Sequence, residues 1–163
     1  MPALERLATR HAPALLRFEQ ENRAYFARFV PDRGDDYFDE FDDRLTDLLK
    51  EQDSGECHFH VLVDEDGTVL GRFNLVDVAD RSAELGYRVA ERATGRGVAS
   101  EGVRRVCALA RDDYGLRRLV ASAALANPAS LAVLRRTGFV PVEEVLIGGQ
   151  PCLRHVLDLL VDR

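Results

Sequence analysis

This sequence has few of the features that mark membrane, secreted or metal-binding proteins. Its apolar runs fall short of the roughly 18 residues that a membrane-spanning helix needs, and its first residues lack the basic-then-apolar layout of a secretory signal. The three cysteines, Cys57, Cys107 and Cys152, are far apart and show neither a CxxC pair nor zinc-ligand spacing. We therefore expect a cytoplasmic protein with reduced thiols and without a metal ion.

Positive charge is also in short supply. Lysine and arginine together number 22 against 28 acidic residues, which gives a formal net charge of −6. Binding to nucleic acid depends on clustered cationic side chains, so nucleic acid is not expected as a partner. A membrane is not expected either, because the apolar runs are too short to span one. A small anionic ligand is still compatible with this balance, because backbone amides and a few arginines can hold one locally.

What the sequence does contain is an alternation of helical and strand-like hydrophobic periods. With 163 residues, 46% of them hydrophobic, the chain is long enough for one domain, residues 1–163, with a buried core. The predicted segments, in chain order, are a strand over 4–8, helices over 15–29 and 37–49, strands over 59–63, 69–78 and 82–90, a helix over 97–114, a strand over 118–124, a helix over 127–137, and a hairpin over 140–147 and 152–160. This order, β-αα-βββ-α-β-α-ββ, predicts an α/β fold with one mixed sheet and helices on both of its faces.

The second predicted helix has one face that is almost wholly acidic. Its acidic residues are Asp35, Asp36, Asp39, Glu40, Asp42, Asp43 and Asp47. Such a face is commonly only solvated, and the early acids also suit the positive end of a helix dipole. The alternative is a lip that attracts cationic substrates, and the sequence leaves both interpretations open.

A glycine-bearing turn, Gly95-Arg96-Gly97, follows the strand predicted over 82–90 and opens the next helix. Glycines let a ligand approach the backbone, and the free N–H groups at the start of a helix face an anion. The turn is therefore suited to a diphosphate. It is not a P-loop, because it lacks GxxxxGK[ST], and it also lacks the Rossmann pattern GxGxxG.

This region resembles the GNAT superfamily of N-acetyltransferases, whose signature [Q/R]xxGx[G/A] lies between the fourth strand and the next helix. Two registers fit, Arg92-x-x-Gly95-x-Gly97 and Thr94-x-x-Gly97-x-Ala99. We prefer the second, because it better matches the predicted start of the helix. The run from Gly95 to Glu101 also resembles the branch of the superfamily that acetylates the N-termini of ribosomal proteins.

Two further segments resemble the family at the family's own spacing. The run from Ala83 to Tyr87 resembles the fourth strand, where a bulge, here expected at Gly86, lets pantetheine lie along the backbone. The run from Asn127 to Ser130, followed by Gly138-Phe139, resembles the segment near the thioester. Asn127 and the proline after it are also what an ordinary helix cap requires.

The resemblance implies an acyl-CoA-dependent N-acetyltransferase with a GNAT-like fold, whose partners are acetyl-CoA and an amine acceptor. The acceptor would be the α-amine of a protein N-terminus or a small cationic amine, and the protein would be a monomer or a homodimer. Acetyl-CoA is then expected at Tyr87, Arg88, Val89, Thr94, Gly95, Arg96, Gly97, Val98, Ala99, Ser100, Asn127 and Ser130. The amides of residues 95–100 would hold its pyrophosphate.

Two side chains are candidates for the catalytic proton transfers. Glu84 would take the proton of the attacking amine, directly or through water, unless it is only an exposed strand residue. Many members of the superfamily use as the acid a tyrosine seven residues after the asparagine, but Leu134 stands at that position. Ser130 or a water would replace it, although Ser130 is equally well explained by the helix cap. The departure at Leu134 also motivates an alternative function, a non-catalytic acyl-CoA-binding regulatory domain.

The other polar and reactive side chains are less informative. His58, His60 and Asn74 either line the acceptor pocket or are packing and solvent-facing residues, and we favour the second interpretation. Tyr114 and Cys107 fall on the inward face of their predicted helix, so we expect them in the core.

Overall fold

A computed structural model describes residues 2–160 of the chain, and its strands are the basis of the fold. They are β1 (Ala3–Arg6), β2 (His58–Val63), β3 (Val69–Ala79), β4 (Ser82–Val89), β5 (Arg118–Ala124), β6 (Val140–Ile147) and β7 (Gln150–Asp158). The strands form one mixed sheet in the order β1-β2-β3-β4-β5-β7-β6. Neighbouring strands are antiparallel, except that β4 and β5 are parallel.

Helices connect these strands in the predicted order. They are α1 (Ala12–Glu21), α2 (Arg23–Phe26), α3 (Asp35–Asp39), α4 (Phe41–Asp53), α5 (Val98–Asp112) and α6 (Pro128–Arg136). The α/β prediction is therefore confirmed, with the difference that each of the first two predicted helices is divided in two. None of the helices within residues 2–160 is both long and apolar enough to cross a lipid bilayer.

The side chain of Asn22 interrupts the first predicted helix. Its Nδ2 donates to the carbonyl of Phe18 at 2.9 Å, and its Oδ1 accepts from the amide of Glu91 at 3.0 Å. An asparagine that bonds the backbone in this way competes with the helix hydrogen bonds, so α1 ends before it and α2 begins after it. The second predicted helix is interrupted at Glu40, whose φ of −107° and ψ of 20° are not helical.

Adjacent residues of β3 point to opposite faces of the sheet and show which helix covers each face. Arg72 reaches Glu19 of α1, whereas Phe73 packs against Gly102 of α5. We call these the α1 face and the α5 face. A Cβ added to Gly102 would lie 2.2 Å from Cζ of Phe73, so the backbone of α5 rests directly on this ring. The close approach fixes α5 against the sheet, and the short connection from β4 brings the start of the helix to the end of that strand.

The predicted bulge at Gly86 is wrong. Gly86 pairs regularly with Asn74, and the pairing of β3 with β4 shifts only between Val76 and Ala79. Asp77, inside this shift, has a φ of 53°, a left-handed value that is uncommon for residues other than glycine. The irregularity therefore belongs to β3, because the residue in the strained conformation is Asp77.

Candidate active site

The sheet opens between its two parallel strands. Residues 82–84 of β4 pair with residues 118–120 of β5. Beyond Glu84, within residues 2–160, β4 pairs only with β3, and β5 pairs only with β7. The edges over 85–89 and 121–124 thus border a gap, and their backbone groups can bond an extended ligand as they would an added strand.

A groove of about 370 Å³ lies on the α1 face at the start of this gap, and its lining includes Asp77, Glu84, Ser122 and Arg154. Glu84, the predicted base, is exposed there. Arg154 approaches the carboxylate of Glu143 at 4.0 Å, which offsets part of its charge. With the carboxylates of Asp77 and Glu84 in the lining, the groove favours a cationic ligand.

A pair of hydroxyl groups lies on the other side of the gap, on the α5 face. The phenol oxygen of Tyr87 is 2.8 Å from Oγ of Ser130 in the first turn of α6. The Tyr87 ring stacks on Phe73 with the ring centroids 6.1 Å apart. Burial raises the pKa of Tyr87 by more than its hydrogen bond with Ser130 lowers it. The phenol is therefore protonated at neutral pH and can donate a hydrogen bond.

The first turn of α6 has the predicted cap. Oδ1 of Asn127 accepts from the amide of Ser130 at 3.2 Å, so Ser130 is held at the cap by its backbone and at Tyr87 by its side chain. Leu134, where many members of the superfamily have a tyrosine, is completely buried. Within residues 2–160, the phenol that contacts the first turn of α6 is that of Tyr87, which belongs to β4.

The glycine-bearing turn has the backbone that the sequence predicts. Gly95 and Gly97 both have a φ of 75°, which other residues adopt only with strain. Gly97 caps α5, and the helix begins at Val98. The first amides of α5 have no partner within the helix and face an anion that approaches the turn.

Arg88, predicted to bind the cofactor, does not point its side chain towards this turn. Its Nη1 donates to Glu19 at 3.1 Å on the α1 face, and its guanidinium lies 4.6 Å from the ring centroid of Phe26. Alternation along β4 explains the difference, because Tyr87 and Arg88 must point to opposite faces. The side chain of Val89 is buried in the core. For both residues, only the backbone is left for a ligand in the gap.

Glu19 is the centre of a buried ionic cluster next to Arg88. Its carboxylate accepts hydrogen bonds from Arg33 at 3.0 Å, Arg72 at 2.8 Å and Arg88 at 3.1 Å. Arg72 also donates to the hydroxyl of Tyr37 at 3.2 Å. Burial raises the pKa of Glu19, but the charges of the three arginines outweigh it and hold that pKa below its usual range. The cluster thus joins α1 and α3 to the two strands β3 and β4.

His58 and His60 lie beside Tyr114, on the α5 face and away from the groove. Nδ1 of His60 is 3.0 Å from the carbonyl of Phe73, and its Nε2 is 2.6 Å from the hydroxyl of Tyr114. Burial lowers the pKa of His60 to about 4. The His58 ring stacks on Tyr114 with the centroids 3.7 Å apart. Both histidines are thus packing residues.

The sequence did not single out every residue of this site. Asp77, Ser122 and Arg154 line the groove but belong to no motif of the sequence, and Tyr87 was expected at the cofactor but not as the partner of Ser130. Ser122 and Arg154 come from β5 and β7, which only the fold brings to the groove. For Asp77, the signal is the register of the β3–β4 hairpin. Here the shift at Asp77 conceals that register from a count of residues.

The glycine-bearing turn and the hydroxyl pair belong to one side of the gap, and the acidic groove belongs to the other. The sequence profile of the acetyltransferase (GNAT) domain matches residues 3–140, and the chain belongs to this family.

Several known proteins are similar to this chain. The probable N-acetyltransferase YjcK of Bacillus subtilis is 30% identical over 130 residues, which cover 76% of this chain and 72% of YjcK. The structure of the ribosomal-protein-S5-alanine acetyltransferase of Vibrio fischeri matches with a TM-score of 0.89 and 19% identity, over 96% of this chain and 92% of that one. The spermidine N-acetyltransferase of Vibrio cholerae, in complex with CoA and spermine, matches with a TM-score of 0.80 and 19% identity, over 97% of this chain and 95% of that one. The two structures share the fold, but their names give different acceptors.

Proposed function

We propose that this protein transfers an acetyl group from acetyl-CoA to a primary amine, either a protein N-terminal α-amine or a small cationic amine. The observation that carries the proposal is the gap beyond Glu84, which has the anion-binding turn on one side and the acidic groove on the other. An extended thioester in the gap would be reached by an amine from the groove. Membership of the GNAT family supports acetyl-CoA as the donor.

Acetyl-CoA would be held mainly by backbone groups. The amides of residues 95–100 would face its pyrophosphate, and the open edge of β4 over 87–89 would bond the pantetheine arm. Thr94, Asn127 and Ser130 would complete the site from the turn and from the start of α6. The thioester supplies the activated acetyl group, and the protein contributes its alignment with the amine.

The transfer would run in one step, without an acetyl group on the protein. The amine nitrogen bonds to the thioester carbon while the carbon–sulfur bond breaks. Glu84 takes the proton that leaves the nitrogen, directly or through water, and Ser130 gives a proton to the departing sulfur. Both groups regain their starting protonation by exchange with water. The N–H groups of residues 87–89 would polarise the carbonyl in the transition state.

A second candidate function is a non-catalytic acyl-CoA-binding regulatory domain. Leu134 favours it, because the position where many members of the superfamily have an acidic hydroxyl is apolar and fully buried here. The hydroxyl pair of Tyr87 and Ser130 favours the enzyme instead. The two candidates differ in turnover and not in affinity for acetyl-CoA.

The deciding experiment is a thiol-release assay with acetyl-CoA and a panel of short peptides, polyamines and aminoglycosides. We expect acceptor-dependent release of CoA by the wild type, and a fall of kcat by about 10²-fold or more in Glu84→Gln, the range typical of a lost general base. Glu144→Gln, which changes another exposed strand carboxylate, is the matched control and should retain the wild-type rate. Binding of acetyl-CoA without release of CoA for any acceptor would favour the regulatory domain.

A further inference from the structure

The side-chain oxygen of Asn74 is buried and has no hydrogen-bond partner. Among residues 2–160, only Oδ1 of Asn74 and Nδ1 of His58 are side-chain atoms in this condition. A buried polar atom without a partner is costly, and native proteins retain few of them. The ring of His58 is covered by Tyr114, whereas Asn74 lies beside the proposed reaction centre. A ligand in the gap would supply the hydrogen-bond donor that Oδ1 of Asn74 lacks.

The position of Asn74 in the sheet shows where that ligand would lie. Asn74 is on the α1 face of β3, directly opposite Gly86 of β4, and Glu84 is opposite Val76. A Cβ added to Gly86 would meet no atom within 4 Å, so this face of the sheet is open at the residue opposite Asn74. Diagonal neighbours on one face of an antiparallel pair are about 7 Å apart, which is close enough for Asn74 and Glu84 to contact the same small group.

We infer that Oδ1 of Asn74 accepts a hydrogen bond from the acceptor amine, and this inference rests on the proposed function. A neutral primary amine has two N–H bonds and one lone pair. One N–H would be donated to Asn74 and the other to Glu84, which leaves the lone pair directed at the thioester. A neutral acceptor such as the Asn74 amide also avoids holding the amine as an unreactive ammonium ion.

This geometry sets the substrate class. A secondary amine has a single N–H bond, so it cannot donate to Asn74 and Glu84 together. If that bond is directed at the base Glu84, which must take its proton, the buried oxygen of Asn74 stays unpaired. The site is therefore specific for primary amines. Peptides with an N-methylated first residue are expected to be poor substrates.

Asn22 offers a matched comparison within the same chain, because both ends of its amide are bonded, to Phe18 and to Glu91. Replacing Asn22 with leucine breaks one buried and one partly buried hydrogen bond and should lower the melting temperature. Replacing Asn74 with leucine removes an unpartnered oxygen, so the melting temperature should stay the same or rise. A loss of activity in Asn74→Leu would then not be a loss of folding.

The test uses the full chain with acetyl-CoA, an alanine-initiated tetrapeptide and spermidine as acceptors, and the N-methylalanine analogue of the peptide. In Asn74→Leu we expect KM for the better primary acceptor to rise about three- to tenfold, the value of one hydrogen bond. The preference for the primary over the N-methylated peptide should shrink by a similar factor. Affinity for acetyl-CoA, measured by calorimetry, should not change. Asn74→Asp keeps an oxygen at this position but makes it a carboxylate, so KM should stay near the wild-type value while kcat falls, because the amine is held as an ammonium ion.

Three outcomes would overturn the inference. Wild-type KM and an unchanged preference for primary amines in Asn74→Leu would mean that Asn74 does not contact the amine. A melting temperature that falls in Asn74→Leu as far as in Asn22→Leu would assign Asn74 a packing role. If the wild type itself binds acetyl-CoA but releases no CoA with any acceptor, the proposed function fails and this inference fails with it.

Discussion

The hydroxyl of Tyr87 is the smallest feature on which the proposed proton transfer from Ser130 depends. Because burial raises the pKa of this phenol, it keeps its proton and can donate to Oγ of Ser130. Ser130 is then free to direct its own hydrogen towards the gap. We predict that Tyr87→Phe, which keeps the ring on Phe73, lowers kcat about tenfold and leaves KM for acetyl-CoA unchanged.

Steady-state kinetics of single and double variants check this positioning role. Because Tyr87 is proposed to act through Ser130, the losses in Tyr87→Phe and Ser130→Ala should not add in the double variant. Tyr25→Phe is the control, since its ring packs on Phe26 and Phe29, outside the gap. Fully additive losses would show that the two hydroxyls act independently.

His60 gives the protein a pH dependence that is separate from its catalysis. Its pKa is about 4 in the fold, whereas a solvated histidine has a pKa of 6.5, so between these values the unfolded chain binds the proton more tightly. The free energy of unfolding should therefore be highest above pH 6.5 and fall as the pH decreases towards 4, by on the order of 3 kcal/mol. Urea unfolding at pH 8, 6 and 5 measures this fall.

The variant His60→Gln isolates the contribution of this histidine. It removes the titrating group, so its stability should decrease less than that of the wild type between pH 8 and 5. The values at pH 8, where His60 is neutral in both states, supply the baseline for the lost contacts with Phe73 and Tyr114. Parallel curves for the two proteins would contradict the prediction.

At the scale of the elements, hydrophobic periodicity predicted the order of the strands and helices correctly. It did not predict where the helices are interrupted. The strand over 118–124 and the helix around 127–137 match the structure closely, because each has a single period and a clear stop. The breaks at Asn22 and Glu40 were not predicted. Asn22 bonds the backbone of Glu91, 69 positions away, and a local window of sequence cannot contain that contact.

The candidate site shows the same division. The turn at Gly95 and Gly97 and the cap at Asn127 are local features, so sequence alone located them. The prediction of a bulge at Gly86 was wrong. A glycine in an apolar run indicates either a bulge or open space beside the strand, and Gly86 has open space. The contact of Tyr87 with Ser130 joins elements 43 positions apart, and it required the fold.

The close packing of α5 on β3 gives a prediction about two glycines. Helix propensity alone would favour Gly102→Ala by about 1 kcal/mol. The new Cβ would lie 2.2 Å from the ring of Phe73, which is completely buried, so overpacking should outweigh that gain and lower stability by about 1–3 kcal/mol. Denaturant unfolding measures the loss.

Gly86→Ala is the counterpart, because its Cβ meets no atom within 4 Å. This variant should unfold at the wild-type denaturant concentration, but its methyl group occupies the space proposed for the amine. We therefore expect a lower kcat/KM for the acceptor. Equal stability of the two glycine variants would contradict the close approach of α5.

At the scale of the whole molecule, Glu19 joins the N-terminal helices to the centre of the sheet. We predict that Glu19→Gln lowers the free energy of unfolding by about 3–5 kcal/mol, because Arg72 is left as an uncompensated buried charge between the partly buried Arg33 and Arg88. Glu21→Gln changes an exposed carboxylate on the same helix and should have little effect. Urea unfolding at neutral pH compares the two, and equal stability would show that the cluster contributes little.

The gap between β4 and β5 has a mechanical consequence. Within residues 2–160, strand pairing joins the β1–β4 half of the sheet to the β5–β7 half only through the parallel ladder between residues 82–84 and 118–120. A coenzyme that bonds both open edges would connect the two halves of the sheet. It could enter without breaking any strand pairing. Binding of acetyl-CoA would then stabilise the fold as well as supply the acetyl group, so the free energy of unfolding should increase with coenzyme concentration.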